Sequence, residues 1–506
     1  MSETAPALAP AGLREAAFSG VRWTGLSAVV LTALQAVQFL VLVRLLSPGD
    51  FGVYAILMIP VSLALIFADG GMSIAILQRK HVSREHLSSL YWLNVVVGVL
   101  LFVLIVLLSP LVAALSHRPE ILYLMPLAGL SLVILPVGIQ FQVQLQRELG
   151  FSKVTSFEVS SAFVGSVVSI SLAFALGGPL ALVVGQVAGA AARSVLFAWH
   201  GWHTRPPMLR FRFEDVRSYL SFSLYQVGER LVEALAGRLD QLVLGIVLGI
   251  NAVGYYNVSS NLILTPMTKV TAVLSRVLIP LLARLQDEPA RQAKAFLSAL
   301  DCFLIVASPL LFGFAAVAST LVPVALGPEW SPGIDVVRII AVVVVVRFIS
   351  NITGLLLLAC GRAKWTFVWT TASLAVELPA VWFGAAVGGL SGAALGLLIT
   401  ELAIFAVNIA VLRRLSLFSI GGYLDMLARP LLLAAVMAGV VYWFDATANP
   451  EHQVPMLLAS IALGAGIFGA GSVFFLRGAL MDLFDVLPFK VSRLRPLAAS
   501  RSTSAP

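Results

Sequence analysis

Residues 49–55 read GDFGVYA, and residues 251–257 read NAVGYYN. Each opens a long apolar run, with Gly52 and Tyr54 matched by Gly254 and Tyr256 at an offset of 202. A second set of matches lies further along: Lys153 recurs as Lys364, and Gly177, Gly178 and Gly185 recur as Gly388, Gly389 and Gly396, all at an offset of 211. One insertion between the two landmarks accounts for the drift. The offset spans six apolar runs, an even number, so both copies cross a membrane in the same direction and are related by an axis along its normal.

The composition requires that membrane. Of 506 residues, 59% are hydrophobic and 11% charged, against about 45 to 50% and about 25% in an ordinary soluble domain. At about 20 apolar residues per crossing, fourteen crossings take up roughly 280 to 300 positions and leave little for any domain outside the bilayer. Receptors with soluble heads, pumps with nucleotide-binding domains and most enzymes of soluble substrates are excluded. Apolar runs with turn or charge punctuation predict an all-α polytopic membrane protein with helices at 20–44, 51–69, 90–115, 121–142, 157–177, 179–199, 218–249, 255–282, 297–322, 333–359, 364–387, 390–412, 427–445 and 455–477. The net charge of +8 is the basic excess expected of cytoplasmic loops rather than a sign of nucleic acid. Cys302 and Cys360 are the only cysteines, too few and too separated for a CxxC pair or a zinc site, so no metal and no cofactor is predicted.

Orientation follows from basic residues, which stay on the cytoplasmic side during insertion. Loops after even-numbered helices carry seventeen, among them Arg79, Lys80, Arg147, Lys153, Arg205, Arg210, Arg212, Arg217, Arg284, Arg413 and Arg414, whereas loops after odd-numbered helices carry Arg44 and Arg118. Both termini are therefore expected in the cytoplasm. The division predicted is an N-terminal lobe at 1–199, an inter-lobe loop at 200–217, a C-terminal lobe at 218–412, an extra helix pair at 413–477 and a tail at 478–506.

Four stretches carry a family likeness: RLLSPGDFGVYAI at 44–56 leading into FADGGMSIAILQR and YWLN; LQRELGFSKVTSFEVSSA at 145–162; RLDQLVLGIVLGINAVGYY at 238–256; and GPEWSPGIDVVRIIA at 327–341, followed by GRAK. With these the chain resembles the polysaccharide transport branch of the multidrug/oligosaccharidyl-lipid/polysaccharide flippase superfamily, the Wzx-type exporters of lipid-linked sugar repeat units. The resemblance implies two six-helix lobes in a V around a central cavity, plus two C-terminal helices. It implies movement of an undecaprenyl-diphosphate-linked oligosaccharide across the bacterial inner membrane by alternating access, with a polysaccharide polymerase and chain-length machinery as possible partners; with no GxxxxGK motif in the chain, the expected drive is a gradient of H+ or Na+ or the substrate's own gradient. No catalytic residue is implied. The alternatives are a multidrug/cation antiporter of the same superfamily and a membrane polymerase or glycosyl transferase. The second needs an ordered outer loop with catalytic acids, and the odd-numbered loops are short and nearly uncharged.

Seven basic residues fall inside predicted helices: Arg193, Arg230, Arg238, Lys269, Arg276, Arg338 and Arg347. A mid-membrane charge costs on the order of 3 kcal/mol even on permissive insertion scales, so these should face water, one another or a ligand. Six lie in the predicted C-terminal lobe. Arg supplies a planar fork suited to phosphate oxygens, and Arg347, Lys269, Arg230, Arg238 and Arg276, with Asn351 on the Arg347 side, are the headgroup candidates. Taken as one continuous helix, 218–249 brings Glu229, Glu233 and Asp240 within about 40° of each other at 100° per residue. These are candidate ion-coupling carboxylates; alternatively Arg230 and Glu233 neutralise each other at i, i+3. Glu377 and Glu401 are second ion sites or partners for basic residues. Pro60 and Pro266, mid-helix in the two repeats, are candidate hinges or static kinks. The GxGxxG at Gly464, Gly466 and Gly469 lies in an apolar run without a preceding strand, and reads as a packing surface rather than a nucleotide loop.

Overall fold

Helix α2 (Pro48–Asp69) starts where its sequence dictates. Pro48 opens it, and Ser47 and Asp50 cap it reciprocally: the Ser47 backbone N–H and hydroxyl donate to Asp50 Oδ2 at 2.9 and 2.8 Å, while the Asp50 N–H donates to Ser47 Oγ at 3.3 Å. This closes a capping box. Helix α3 (Arg84–Ser116) begins at Ser83, whose hydroxyl accepts from the His86 N–H, and ends at His117, left-handed at φ 52° with its N–H turned back to the last carbonyls. The computed structural model describes residues 10–69, 76, 83–204, 206–214, 216, 227, 228, 230–232, 234–359, 363–415, 419–447 and 453–476; within these it does not describe the side chains of 10–22, 269, 272–277, 279, 280, 358, 359 and 363–371.

The other helices are α1 (Pro10–Leu45), α4 (Ile121–Arg147), α5 (Phe151–Ala175), α6 (Gly178–Thr204), α7 (Leu239–Val247), α8 (Ile250–Arg284), α9 (Pro289–Ala316), α10 (Ala318–Ala325), α11 (Ile334–Ala359), α12 (Ala363–Leu415), α13 (Ile420–Ala446) and α14 (Gln453–Phe475), with a 3-10 turn at Pro328–Gly333. All regular elements among the described residues are thus helical. Eleven candidate spans among them are long and apolar enough to cross a membrane, and one, Ala372–Arg414, contains a break at Gly389 (φ 60°, ψ −140°). That break falls between the helices predicted at 364–387 and 390–412. Two expectations are corrected. The helix predicted at 297–322 is divided at Val317 into α9 and α10, because Val317, at φ −91° and ψ 6°, leaves helical dihedrals. The helix predicted over 218–249 is interrupted at Gly237 and Arg238: Arg238 has φ −134° and caps α7 from outside, so Asp240 stands on a new helix, while Glu229 and Glu233 lie outside the described residues.

The chain forms two compact units. The first comprises Met1–Ser259, Ala325–Gly333 and Leu374–Gly396; the second comprises Ser260–Val324, Ile334–Ser373 and Leu397–Pro506. In the first, α5 packs on α6, α4 on α3 and α6, α1 on α5, and α2 on α3 and α4. One of its cores joins Tyr91, Phe141, Leu145, Val154 and Phe197. In the second, α9 packs on α11 and α13, and α13 on α14, around Ile305, Ala434, Met437, Val441, Leu457 and Phe468.

Close approaches in the first unit explain the repeated glycines. A Cβ on Gly52 would overlap the Ile250 carbonyl oxygen, and one on Gly254 would overlap that of Pro48. Pro48 and Ile250 are themselves 202 apart, so the contact is reciprocal. The second landmark behaves alike. Gly185 lies against Ser169 and Gly396 against Ala380, residues again 211 apart. Gly177, Gly178 and Gly389 all have positive φ at their turns.

Candidate functional site

The second unit holds a cation inside a span. Arg347, on α11, donates from Nε to Glu401 Oε1 on α12 at 2.6 Å; the arginine side chain is 34% exposed and the carboxylate 6%. Of the two roles open to Glu401, the structure has the ion pair. The surrounding chain is Ile339–Val346, apolar throughout, so neither charge is tolerable there without the other. Ser350 Oγ, one turn on, is buried without a hydrogen-bond partner among the described residues, and Asn351 is exposed. The arrangement holds the guanidinium through Nε to Glu401 and leaves it partly exposed beside Ser350 and Asn351.

A second polar centre in this unit lies around Arg338. Its guanidinium pairs with Asp335 at 3.1 Å and lies 5.3 Å from the Tyr442 ring centroid. Its Nη2 reaches Ser319 Oγ at 3.5 Å, and Ser319 and Thr320 both donate to the buried Asp445 carboxylate at 2.8 to 2.9 Å. Asp445 thus joins α13 to the first turn of α10, where a negative charge suits the helix dipole.

In the first unit Arg238 is half-buried and interacts electrostatically with Tyr54 and Asp240. The Tyr54 hydroxyl donates to Gln186 Oε1 at 2.7 Å. Arg193 donates to Gln142 Oε1 at 2.9 Å and lies 3.5 Å from Glu158, which accepts from Gln142 Nε2 at 2.9 Å. This triad ties α4, α5 and α6 together. Of the neutral polar positions, Gln38 Oε1 accepts from Ser166 at 2.8 Å and Gln140 Nε2 donates to the Leu87 carbonyl at 2.5 Å. Asn94 Oδ1 is buried without a partner among the described residues.

The remaining candidates fall as follows. Arg230 is half-buried in a helical stretch. Glu229 and Glu233 lie outside the described residues, as do the side chains of Lys269 and Arg276 on α8. Pro60 lies half-buried within α2 and Pro266 exposed within α8. Glu377 is buried. Sequence reading passed over Gln186, Glu158 and Asp445; Gln186 is a lone polar residue in an apolar run, the signal that picked out the arginines, whereas Glu158 sits among Ser, Thr and Lys and Asp445 closes its run.

Residues 41–335 match the family described as "Polysaccharide biosynthesis protein". The lipopolysaccharide biosynthesis protein WzxC of Escherichia coli K12 is 30% identical over 77% of this chain and 79% of its own. The teichuronic acid biosynthesis protein TuaB of Bacillus subtilis is 29% identical over 88% of this chain and 93% of its own. Among solved structures, that titled "Lipid II flippase MurJ, inward closed conformation" superimposes with a TM-score of 0.74 over 90% of this chain and 99% of its own. At 15% identity that likeness concerns the fold. The match over more than half its length, and the breadth of the relatives, show that this multi-pass helical membrane protein belongs to the polysaccharide biosynthesis protein family.

Proposed function

We propose that the protein moves undecaprenyl-diphosphate-linked oligosaccharide repeat units from the cytoplasmic to the periplasmic leaflet of the inner membrane. It is a transporter and carries out no bond chemistry of its own. The finer architecture of this reading is fourteen crossings in two six-helix lobes and an extra pair, with both termini in the cytoplasm. Alternating access would bend the chain at Pro60 and Pro266. A gradient of H+ or Na+ would drive it through carboxylates such as Glu229, Glu233 and Asp240, and a polymerase with its chain-length machinery would take up the product.

The observation that carries the reading is Arg347, a partly exposed guanidinium in an apolar span whose Nε donates to Glu401. An anionic diphosphate matches that fork, since paired N–H donors and phosphate oxygens form two parallel bonds. A cationic drug does not. Arg230, Arg238, Lys269 and Arg276 add positive charge along the predicted C-terminal lobe, 218–412.

The test is a strain lacking the protein. Lipid-linked repeat units should accumulate on the inner face, the wild-type chain should clear them, and R347E should not. Accumulation of none, or of single units on the outer face, would overturn the reading.

A further inference from the structure

The segment after α6 is bound down along its whole described length, residues 206–214. The Met208 carbonyl accepts from the Ser88 hydroxyl and, at 2.9 Å, from Trp92 Nε1. Arg210 pairs with Glu85 at 2.6 Å, and the Arg212 N–H donates to Ser89 Oγ at 3.1 Å. Beside these tethers the segment leaves its apolar side chains uncovered: Met208 is 41% exposed, Leu209 91%, Phe211 50% and Phe213 60%. The backbone is thus held on α3 while four apolar side chains stay open to the surroundings.

The depth of these side chains is fixed by the tethers. They fall on Glu85 to Trp92, the turns of α3 that lead from polar residues 84–86 into the apolar run predicted from residue 90. Nearby in sequence, the end of α6 exposes Trp199 and Trp202, with the Trp199 and His203 rings 5.2 Å apart. Such aromatics concentrate at the headgroup level of a bilayer. Arg212 is exposed, and a basic residue beside apolar side chains at this level meets anionic headgroups.

We infer that residues 206–214 form a strap lying in the membrane interface, with Leu209, Phe211 and Phe213 seated among lipid headgroups and Arg212 on the phosphates of anionic lipids. The occupant of this apolar surface is lipid, and the choice of the cytoplasmic leaflet rests on the orientation proposed above.

The test uses the full chain with C302S and C360S, carrying F211C with a nitroxide label, in vesicles of phosphatidylcholine with and without phosphatidylglycerol. Relaxation by molecular oxygen reports lipid, and relaxation by a neutral nickel chelate reports water. L107C, on a 70% exposed site within the α3 span, and R291C, at a side chain 73% exposed near the start of α9, set the two limits. The oxygen-to-nickel ratio at position 211 should stand severalfold above that at 291, and phosphatidylglycerol should raise it in the parent but not with R212S. A ratio equal to that at 291 would overturn the strap and mark these side chains as solvated or as a face for a soluble protein. An equal response of parent and R212S would overturn the role of Arg212. L209C replaces F211C if the latter does not fold. Reaction of R291C with an impermeant maleimide from the periplasmic side would overturn the leaflet alone.

Discussion

Gly52 and Gly254 each face the carbonyl group four residues before the other, Ile250 for the first and Pro48 for the second. The starts of α2 and α8 therefore meet through a local two-fold relation in which neither position has room for a side chain. G52A and G254A should each destabilise the protein by about 1 to 3 kcal/mol, seen as a lower melting temperature in detergent. G439A, where a Cβ meets nothing within 4 Å, should leave it unchanged or slightly raised. Equal melting temperatures for all three would refute the close approach.

The Arg347–Glu401 pair sets stability and export apart. Removing one partner strands the other charge in an apolar span, at a cost on the order of 3 kcal/mol, so R347M and E401M should each melt early. The double variant should recover most of the stability and still fail to clear lipid-linked repeat units. Restored export in the double variant would show that the guanidinium has no part beyond pairing.

Asp445 is the second test of buried charge. Its carboxylate accepts from Ser319 and Thr320, and D445A leaves two hydroxyls without their acceptor, costing about 1 to 3 kcal/mol. D445N keeps one acceptor oxygen and should cost less. Limited proteolysis near residues 446–453 should accelerate in D445A and not in D445N.

The Glu158, Gln142 and Arg193 triad predicts non-additive loss. E158Q and R193M each disrupt the same three-way contact, so the double variant should lose clearly less stability than the two singles combined, with a coupling of about 0.5 to 1.5 kcal/mol. Simple additivity in thermal unfolding would show that the contact contributes nothing.

Much of the helical layout was legible because it rests on two robust signals, apolar runs of spanning length and glycines whose spacing repeats. Gly178 and Gly389 mark turns that only a residue tolerant of positive φ accepts, and their offset survives in the packing of Gly185 on Ser169 and Gly396 on Ala380. The break at Gly237 and Arg238 was not legible. An apolar run carries no mark of where the chain leaves helical dihedrals when tertiary contacts decide it, and one such break removes any face computed across it. The polar partners were half legible. Charge scarcity singled out Arg347 and Arg193, but which acid each meets depends on the distance between helices, and residues 54 apart in the chain carry no such information.

Trp330 lies fully buried in the 3-10 turn, its indole N–H donating to the Val43 carbonyl at 3.1 Å and its ring edge-on to Phe51 and Tyr255. It joins the end of α1, the start of α2 and the start of α8 from a position 287 residues beyond Val43. On the ribosome those three ends are made long before their keystone. The junction closes only once Trp330 has been made, which ties the packing of the first half to synthesis well into the second.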